Sequence, residues 1–287
     1  MADGRWQEAV ATLAQRIGEA FGFRICLCGE IECVVRGLEG LPEPDIFWQQ
    51  VMQQAQALDI PIDSIAQEEH PDHYEFRLSP TEPLRAALVI EQLRALVIAL
   101  SAEYGLECLF EAGQQPPYSG LHWHIHLTNA DGVNVFLKQD EQMSEPLRHV
   151  LGGLLATMRE LMPCFAPREA SYARLRAGAD HIPQVVSWGG NNRSVALRMP
   201  ESVVPVRHIE HRVCGADADA LIAVWALLVG VHVGLKHKPD PGAQIYGRAH
   251  DAVYDLPRLP LSLSEAEGAW QESRYVKDYI ESARLDA

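Results

Sequence analysis

The chain has no stretch rich in lysine or arginine. Its 287 residues carry 24 basic side chains against 39 acidic ones, a formal net charge of −15 at neutral pH. With no basic tract to neutralise phosphates, no nucleic-acid partner is expected. Cysteine is scarce: Cys26, Cys28, Cys33, Cys108, Cys164 and Cys214 form no CxxC pair and lack the density of a disulfide scaffold. Reduced thiols in a cytoplasmic setting are the expectation. Cys26-x-Cys28 reads better as part of a buried strand than as half a metal site. An apolar leader is also missing, because Asp3, Arg5 and Glu8 interrupt the first residues. Leu84 to Leu100 is broken by Arg85, Glu91, Gln92 and Arg94, and Leu221 to Val233 is too short to cross a bilayer. Both are expected as core helices of a soluble protein with no membrane partner.

Apolar residues make up 47% of the chain, enough to bury a large core. No repeat, low-complexity tract or long linker marks a boundary, so residues 1–287 are expected to form a single domain. Helical periodicity runs from Trp6 to Ala20, a strand from Phe23 to Val35, and a Gly/Pro-rich turn from Gly37 to Pro44 leads into a helix ending near Leu58. Tyr74 to Leu78 reads as a strand, and Thr81-Glu82-Pro83 opens a long helix. Extended pieces are expected at 106–110, 120–127 and 132–137, the last two joined by the hairpin turn Asn129-Ala130-Asp131-Gly132. Helices are expected over 144–162 and 217–236, with Asp217 and Asp219 at the positive end of the second. Strands over 182–188, 193–198 and 206–213 and an amphipathic helix over 264–282 complete an α+β fold, an antiparallel sheet flanked by helices.

The segment Ser119-Gly120-Leu121-His122-Trp123-His124-Ile125-His126-Leu127 concentrates the chemistry. As a strand it places His122, His124 and His126 on one face and Leu121, Trp123, Ile125 and Leu127 on the other. Imidazole is the commonest protein ligand for metals and the usual acid–base group near neutral pH; a half-exposed strand with surface histidines is the plainer alternative. Glu30 and Glu32 also share a strand face, and two such carboxylates need a cation or bulk water between them. Glu68 and Glu75 flank a Pro-containing loop, and His208, Glu210 and Arg212 share a face of a later strand. Taken singly, each set is an ordinary solvated face. Taken together, they suit a hard divalent cation, and a histidine among oxygen ligands admits Mn²⁺ as well as Mg²⁺.

The ordered series Glu-x-Glu, Glu-x6-Glu, Ser-Gly-Leu-His-x-His, Ser-Tyr-x-Arg-Leu, Asn-Arg-Ser-x-x-x-Arg and Ile-Glu-x-Arg resembles the catalytic domain of the glutamine synthetase superfamily, which includes γ-glutamyl amine and polyamine ligases. The resemblance runs from about Gly22 to about Ala269. It implies a curved antiparallel sheet and two divalent ions, Mg²⁺ or Mn²⁺. Glu32, Glu68 and Glu75 would hold one, and Glu30, His122 and Glu210 the other. By the same resemblance Arg174 and Arg212 would grip a glutamate-like carboxylate. Arg193 and Arg198 would stabilise the phosphates of ATP, His124 would contact the nucleotide, and Asp180 would be the flap acid, where relatives usually have Glu. The implied reaction phosphorylates a side-chain carboxylate with ATP, and ammonia or an amine then attacks the acyl phosphate.

Departures from the pattern qualify those expectations. The family's N-terminal β-grasp domain is expected to be absent and the C-terminus shortened, so a homo-oligomer or a partner subunit would complete the site. Pro117-Tyr118 stands where relatives have Asn-Gly, His208 where they have a basic residue, and His126 where they have serine. Tyr254 matches a tyrosine that some bacterial relatives adenylylate, although a structural role explains it better. Two alternatives remain beside the ligase: a non-catalytic metal- or nucleotide-binding paralogue that acts with a partner, and a phosphotransferase like the guanidino kinases. Replacing Glu210 by alanine is expected to abolish metal-dependent ATP binding and leave the fold intact.

Overall fold

Alternation of side chains from Arg24 to Arg36 builds the longest strand, β1, which presents Cys26, Cys28, Glu30 and Glu32 on one face and Ile25, Leu27, Ile31 and Cys33 on the other. The structure, a computed structural model, describes residues 4–113, 115–137, 143–201 and 207–283. Helix α1 (Gly4–Phe21) precedes β1 and buries Ala9, Val10, Leu13 and Ile17, one stripe at helical spacing. Then come α2 (Pro44–Ala57), β2 (Ile62–Gln67), β3 (His73–Leu78) and α3 (Pro83–Glu103). Glu82 caps α3 by accepting from the amides of Leu84 and Arg85, with Pro83 in the first turn. After β4 (Glu107–Leu109) and the histidine strand β5 (Leu121–Thr128) lie α4 (Glu145–Met158), α5 (Met162–Phe165) and α6 (Tyr172–Arg176). Short strands β6 (Trp188–Gly189), β7 (Leu197–Arg198) and β8 (Ile209–His211) lead to α7 (Ala220–His237), α8 (Leu263–Gln271) and α9 (Val276–Ala283).

Among the described residues the strands form one open sheet in the order β2-β3-β1-β5-β8-β7-β6, with β4 also paired to β1. Every pair is antiparallel except β6–β7. The apolar face carries Ile31, Phe76, Trp123, Ile125, Ile209 and Leu197, all fully buried. Helices α1, α3, α4 and α7 pack together beneath it. By length and composition α7 could cross a membrane, yet 83% of it is buried inside the protein. Asp219 caps it, accepting from the amides of Leu221 and Ile222. It lies so close to α4 that a Cβ on Gly153 would fall 2.2 Å from the carbonyl oxygen of Gly230 and 2.3 Å from Cα of Gly234.

Several expected boundaries move, each for a local reason. The turn after β5 forms, but residues 132–137 are not a strand. One bridge, Thr128 to Asn134, is made before the Asn134 side chain accepts from the amide of Phe136 and turns the chain away. The helix expected over 144–162 ends at Met158, and a separate α5 starts at Met162 with Pro163 in its first turn. The one over 217–236 begins at Ala220, because Asp217 instead accepts from the Ser171 hydroxyl. The strand over 182–188 shrinks because its amides and carbonyls pair with 245–259, as in Val186 to Pro257 and Leu259 to Gln184. That over 193–198 starts late because Asn192 accepts from the Ser194 amide. Of 206–213, residue 206 lies outside the described residues and only Ile209–His211 is strand. The helix over 264–282 is two, separated where Glu160 accepts from the amides of Arg274 and Tyr275.

Candidate functional site

Sheet register assembles the polar face. Across β3 and β1, Glu75 lies opposite Glu32 and Arg77 opposite Glu30. Across β1 and β5, Glu30 lies opposite His122 and Cys28 opposite His124. His124 in turn faces Glu210 on β8, and Glu210 faces Arg198 on β7. Directly opposed residues point to the same side of a sheet, so five neighbouring strands bring Glu75, Arg77, Glu30, Glu32, His122, His124, Glu210 and Arg198 to one surface. Glu30, Glu75 and His122 offer ligand atoms all within 4.8 Å of one another. His124 Nε2 lies 2.7 Å from Glu30 Oε2, and His122 Nδ1 lies 3.8 Å from Glu210 Oε1. Glu32 accepts from the Gly120 amide at 2.7 Å, with His73 Nε2 3.6 Å away. Glu68 follows β2 directly; its amide bonds the His73 carbonyl, and its charge bears on both Glu32 and Glu75.

Burial and the close approach of like charges set the electrostatics of this cluster. Burial pushes Glu32 up to about 7. Burial and the neighbouring Glu30 push Glu75 up to about 9. Burial also opposes ionisation of Glu30, but hydrogen bonds from His124 and from the Glu75 acid, with the charge of His124, hold it well below the usual range. Burial likewise raises Glu210, yet Arg212, His122, His124 and Arg198 together hold it at about 2. Burial drives His122 well below its ordinary value, and its Nδ1 is buried without a hydrogen-bond partner. Carboxylate oxygens with one unpartnered imidazole nitrogen fit Mg²⁺ or Mn²⁺.

A sign follows for pH. Carboxyls whose folded values are raised bind their protons more tightly folded than unfolded, so the metal-free fold loses stability as pH climbs from about 4.5 through 7 and 9. A divalent ion must displace those protons at low pH and meets fewer of them at high pH. Saturating Mg²⁺ should therefore raise the melting temperature more at pH 8.5 than at pH 6.0. Equal shifts by differential scanning fluorimetry would defeat this account.

The other expected site residues are placed as follows. Arg174 is buried and donates to the carbonyls of Val213 and Arg212. Arg212, also buried, bonds Glu210 and the carbonyl of His181. Arg198 bonds the second oxygen of Glu210 at 2.7 Å. Arg193 is exposed, and its charge is felt at His181. Asp180 sits on the exposed rim in an ion pair with Arg248 at 3.0 Å. His126 is half-buried opposite Cys26, while His208 stacks obliquely on His124 with ring centres 5.0 Å apart. Tyr254 accepts from the Gly247 amide through its hydroxyl at 2.9 Å. Pro117 and Tyr118 follow a cis Pro116–Pro117 bond and are partly buried. Sequence reasoning passed over His73 and Arg77. Both belong to β3, and Arg77 lies two residues after Glu75, the spacing that already grouped Glu30 with Glu32.

A family model described as glutamine synthetase, catalytic domain, matches residues 40–287. That range begins after β1, so Glu30 and Glu32 are tied to the site by sheet register. Gamma-glutamylputrescine synthetase PuuA of Escherichia coli (strain K12) is 31% identical over 224 residues, 77% of this chain and 47% of that protein. Glutamate–isopropylamine ligase of Pseudomonas sp is 29% identical over 223 residues, covering 76% of this chain and 48% of that one. The chain thus spans about half the length of the curated relatives it matches. A solved structure of GmaS with ADP superposes with a TM-score of 0.83 over 97% of this chain and 70% of that one at 20% identity, a likeness of fold.

Proposed function

Since the chain belongs to the glutamine synthetase catalytic-domain family, we propose that it acts as a single catalytic domain of an ATP- and divalent-metal-dependent ligase that joins the side-chain carboxyl of glutamate, or a similar acid, to an amine. The observation that carries this reading is the convergence of Glu30, Glu75, His122 and Glu210 on one sheet face, with Arg198 and Arg212 beside them. Glu30, Glu32, Glu68, Glu75, His122 and Glu210 would hold two ions, which neutralise charge during phosphoryl transfer when bound. Arg198 and His124 stand at the nucleotide side of the cage, and Arg193 joins them from the rim. Arg174 fixes the backbone at 212–213 and, with Arg212, supplies guanidinium groups suited to a substrate carboxylate. Asp180, released from Arg248, serves as the flap acid that keeps water from the acyl phosphate.

The amine is proposed to be larger than ammonia. Support comes from relatives named for putrescine and isopropylamine, and from a gamma-glutamylethanolamide synthetase of Streptomyces coelicolor that is 32% identical over 180 residues. Assembly as a homo-oligomer or with a partner subunit, in the cytoplasm, belongs to the same proposal. The test mixes protein, Mg²⁺ or Mn²⁺, ATP, glutamate and a panel of ammonia, alkylamines, diamines and ethanolamine. Phosphate release that requires both acid and amine, with the amide identified by mass spectrometry, is the expected result. A phosphorylated acceptor without amide, or nucleotide binding without turnover, would refute it.

A further inference from the structure

We infer that Arg77 sets the cation affinity of the Glu30–Glu75 cage: its guanidinium is the cation already resident there, and a divalent ion binds by displacing it. This rests on reading the cage as a metal site. Arg77 Nε lies 3.3 Å from Glu30 Oε2, while Nη2 lies 3.3 Å from Glu30 Oε1 and 3.3 Å from Glu75 Oε1. One planar fork therefore spans the two carboxylates that, with His122, come within ligating distance of a single ion.

Guanidinium and ion exclude one another. Arginine has five donors and no acceptor, so it cannot join a coordination shell. Each glutamate oxygen that faces the fork is lost to the ion, and two cations held by the same carboxylates repel. Exposure decides which one moves. The Arg77 side chain is 49% exposed, against 9% for Glu30 and 13% for Glu75. The arginine can swing into water on its long stem, whereas the carboxylates are held by the sheet and by His124. The strand pairing leaves no other face for it: position 77 is opposite Glu30 and two residues from Glu75 on the same strand, so whatever stands there meets the cage.

The two roles open to Arg77 differ in the sign of one measurement. A competitor weakens the ion's hold; a scaffold that shapes the carboxylates strengthens it. Mn²⁺ titrated by calorimetry into the nucleotide-free protein, with electron paramagnetic resonance counting free ion, is expected to bind Arg77→Gln about tenfold more tightly than the unsubstituted chain, about 1.4 kcal/mol. The metal-free melting temperature of the same variant should fall, because the acids lose the fork that spans them. Equal or weaker Mn²⁺ binding would overturn the inference. Absence of Mn²⁺ binding in both proteins would overturn the cage reading and this inference together. Should Arg77→Gln fail to fold, Arg77→Lys decides. Its point charge cannot span both carboxylates, so tighter binding than in the unsubstituted chain supports displacement and unchanged or weaker binding refutes it.

Discussion

Glu210→Ala is expected to remove metal-dependent ATP binding and also to destabilise the fold by roughly 3–5 kcal/mol, the range for breaking one partner out of a buried ion pair. The sequence alone suggests that only the first effect occurs. In the structure Glu210 is 1% exposed and divides its oxygens between two cations, Arg198 at 2.7 Å and Arg212. Removing it leaves Arg212, itself 6% exposed on its side chain, as an uncompensated buried charge whose Nε already has no partner. It also removes the carboxylate nearest the free Nδ1 of His122. Denaturant unfolding, with ATP affinity measured with and without Mn²⁺, reads both effects. Unchanged ATP affinity in a folded Glu210→Ala protein would sink the cage assignment.

Gly120→Ala should separate site from fold. A Cβ there would stand 2.8 Å from His122 Nε2, closer than real side chains tolerate, and a tight 3.1 Å from Arg174 Nη2. The Gly120 amide meanwhile donates to Glu32, so the imidazole has to move while the backbone stays pinned. Misplacing a ligand by its supporting shell typically costs 10–100-fold in metal affinity, and with Arg174 also crowded we expect about 100-fold weaker Mn²⁺ binding. Gly40→Ala, whose added Cβ meets nothing within 4 Å, is the matched control. Calorimetric titration of both variants decides it. Wild-type Mn²⁺ affinity in Gly120→Ala would show that His122 is not a ligand.

The histidine strand was legible because alternation is a strong signal. Leu121, Trp123, Ile125 and Leu127 are fully buried and His122, His124 and His126 share the other face. Strand β2 was not, because as an edge strand it has no buried residue and hence no apolar rhythm. The short strands β6 to β8 were overdrawn for a different reason. Their neighbours bury apolar side chains as strands do, yet send backbone hydrogen bonds to loops far along the chain, which no local pattern reveals. At the site, Glu30, Glu32, Glu75, His122 and Glu210 could be nominated from spacing and resemblance. The partners of Arg77 and of Asp180 could not, since Glu30 and Arg248 are remote in sequence. Glycine packing between α4 and α7 was equally hidden, since the close approach of Gly153 to Gly230 and Gly234 joins helices remote in sequence.

The cage side chains range from position 30 to position 210 over strands that are not neighbours in the chain. No early, locally folded fragment can contain the cage, because its side chains meet only through long-range closures of the polypeptide. An ion held there would act as a late clasp, slowing the opening of the molecule and leaving the rate of its assembly untouched.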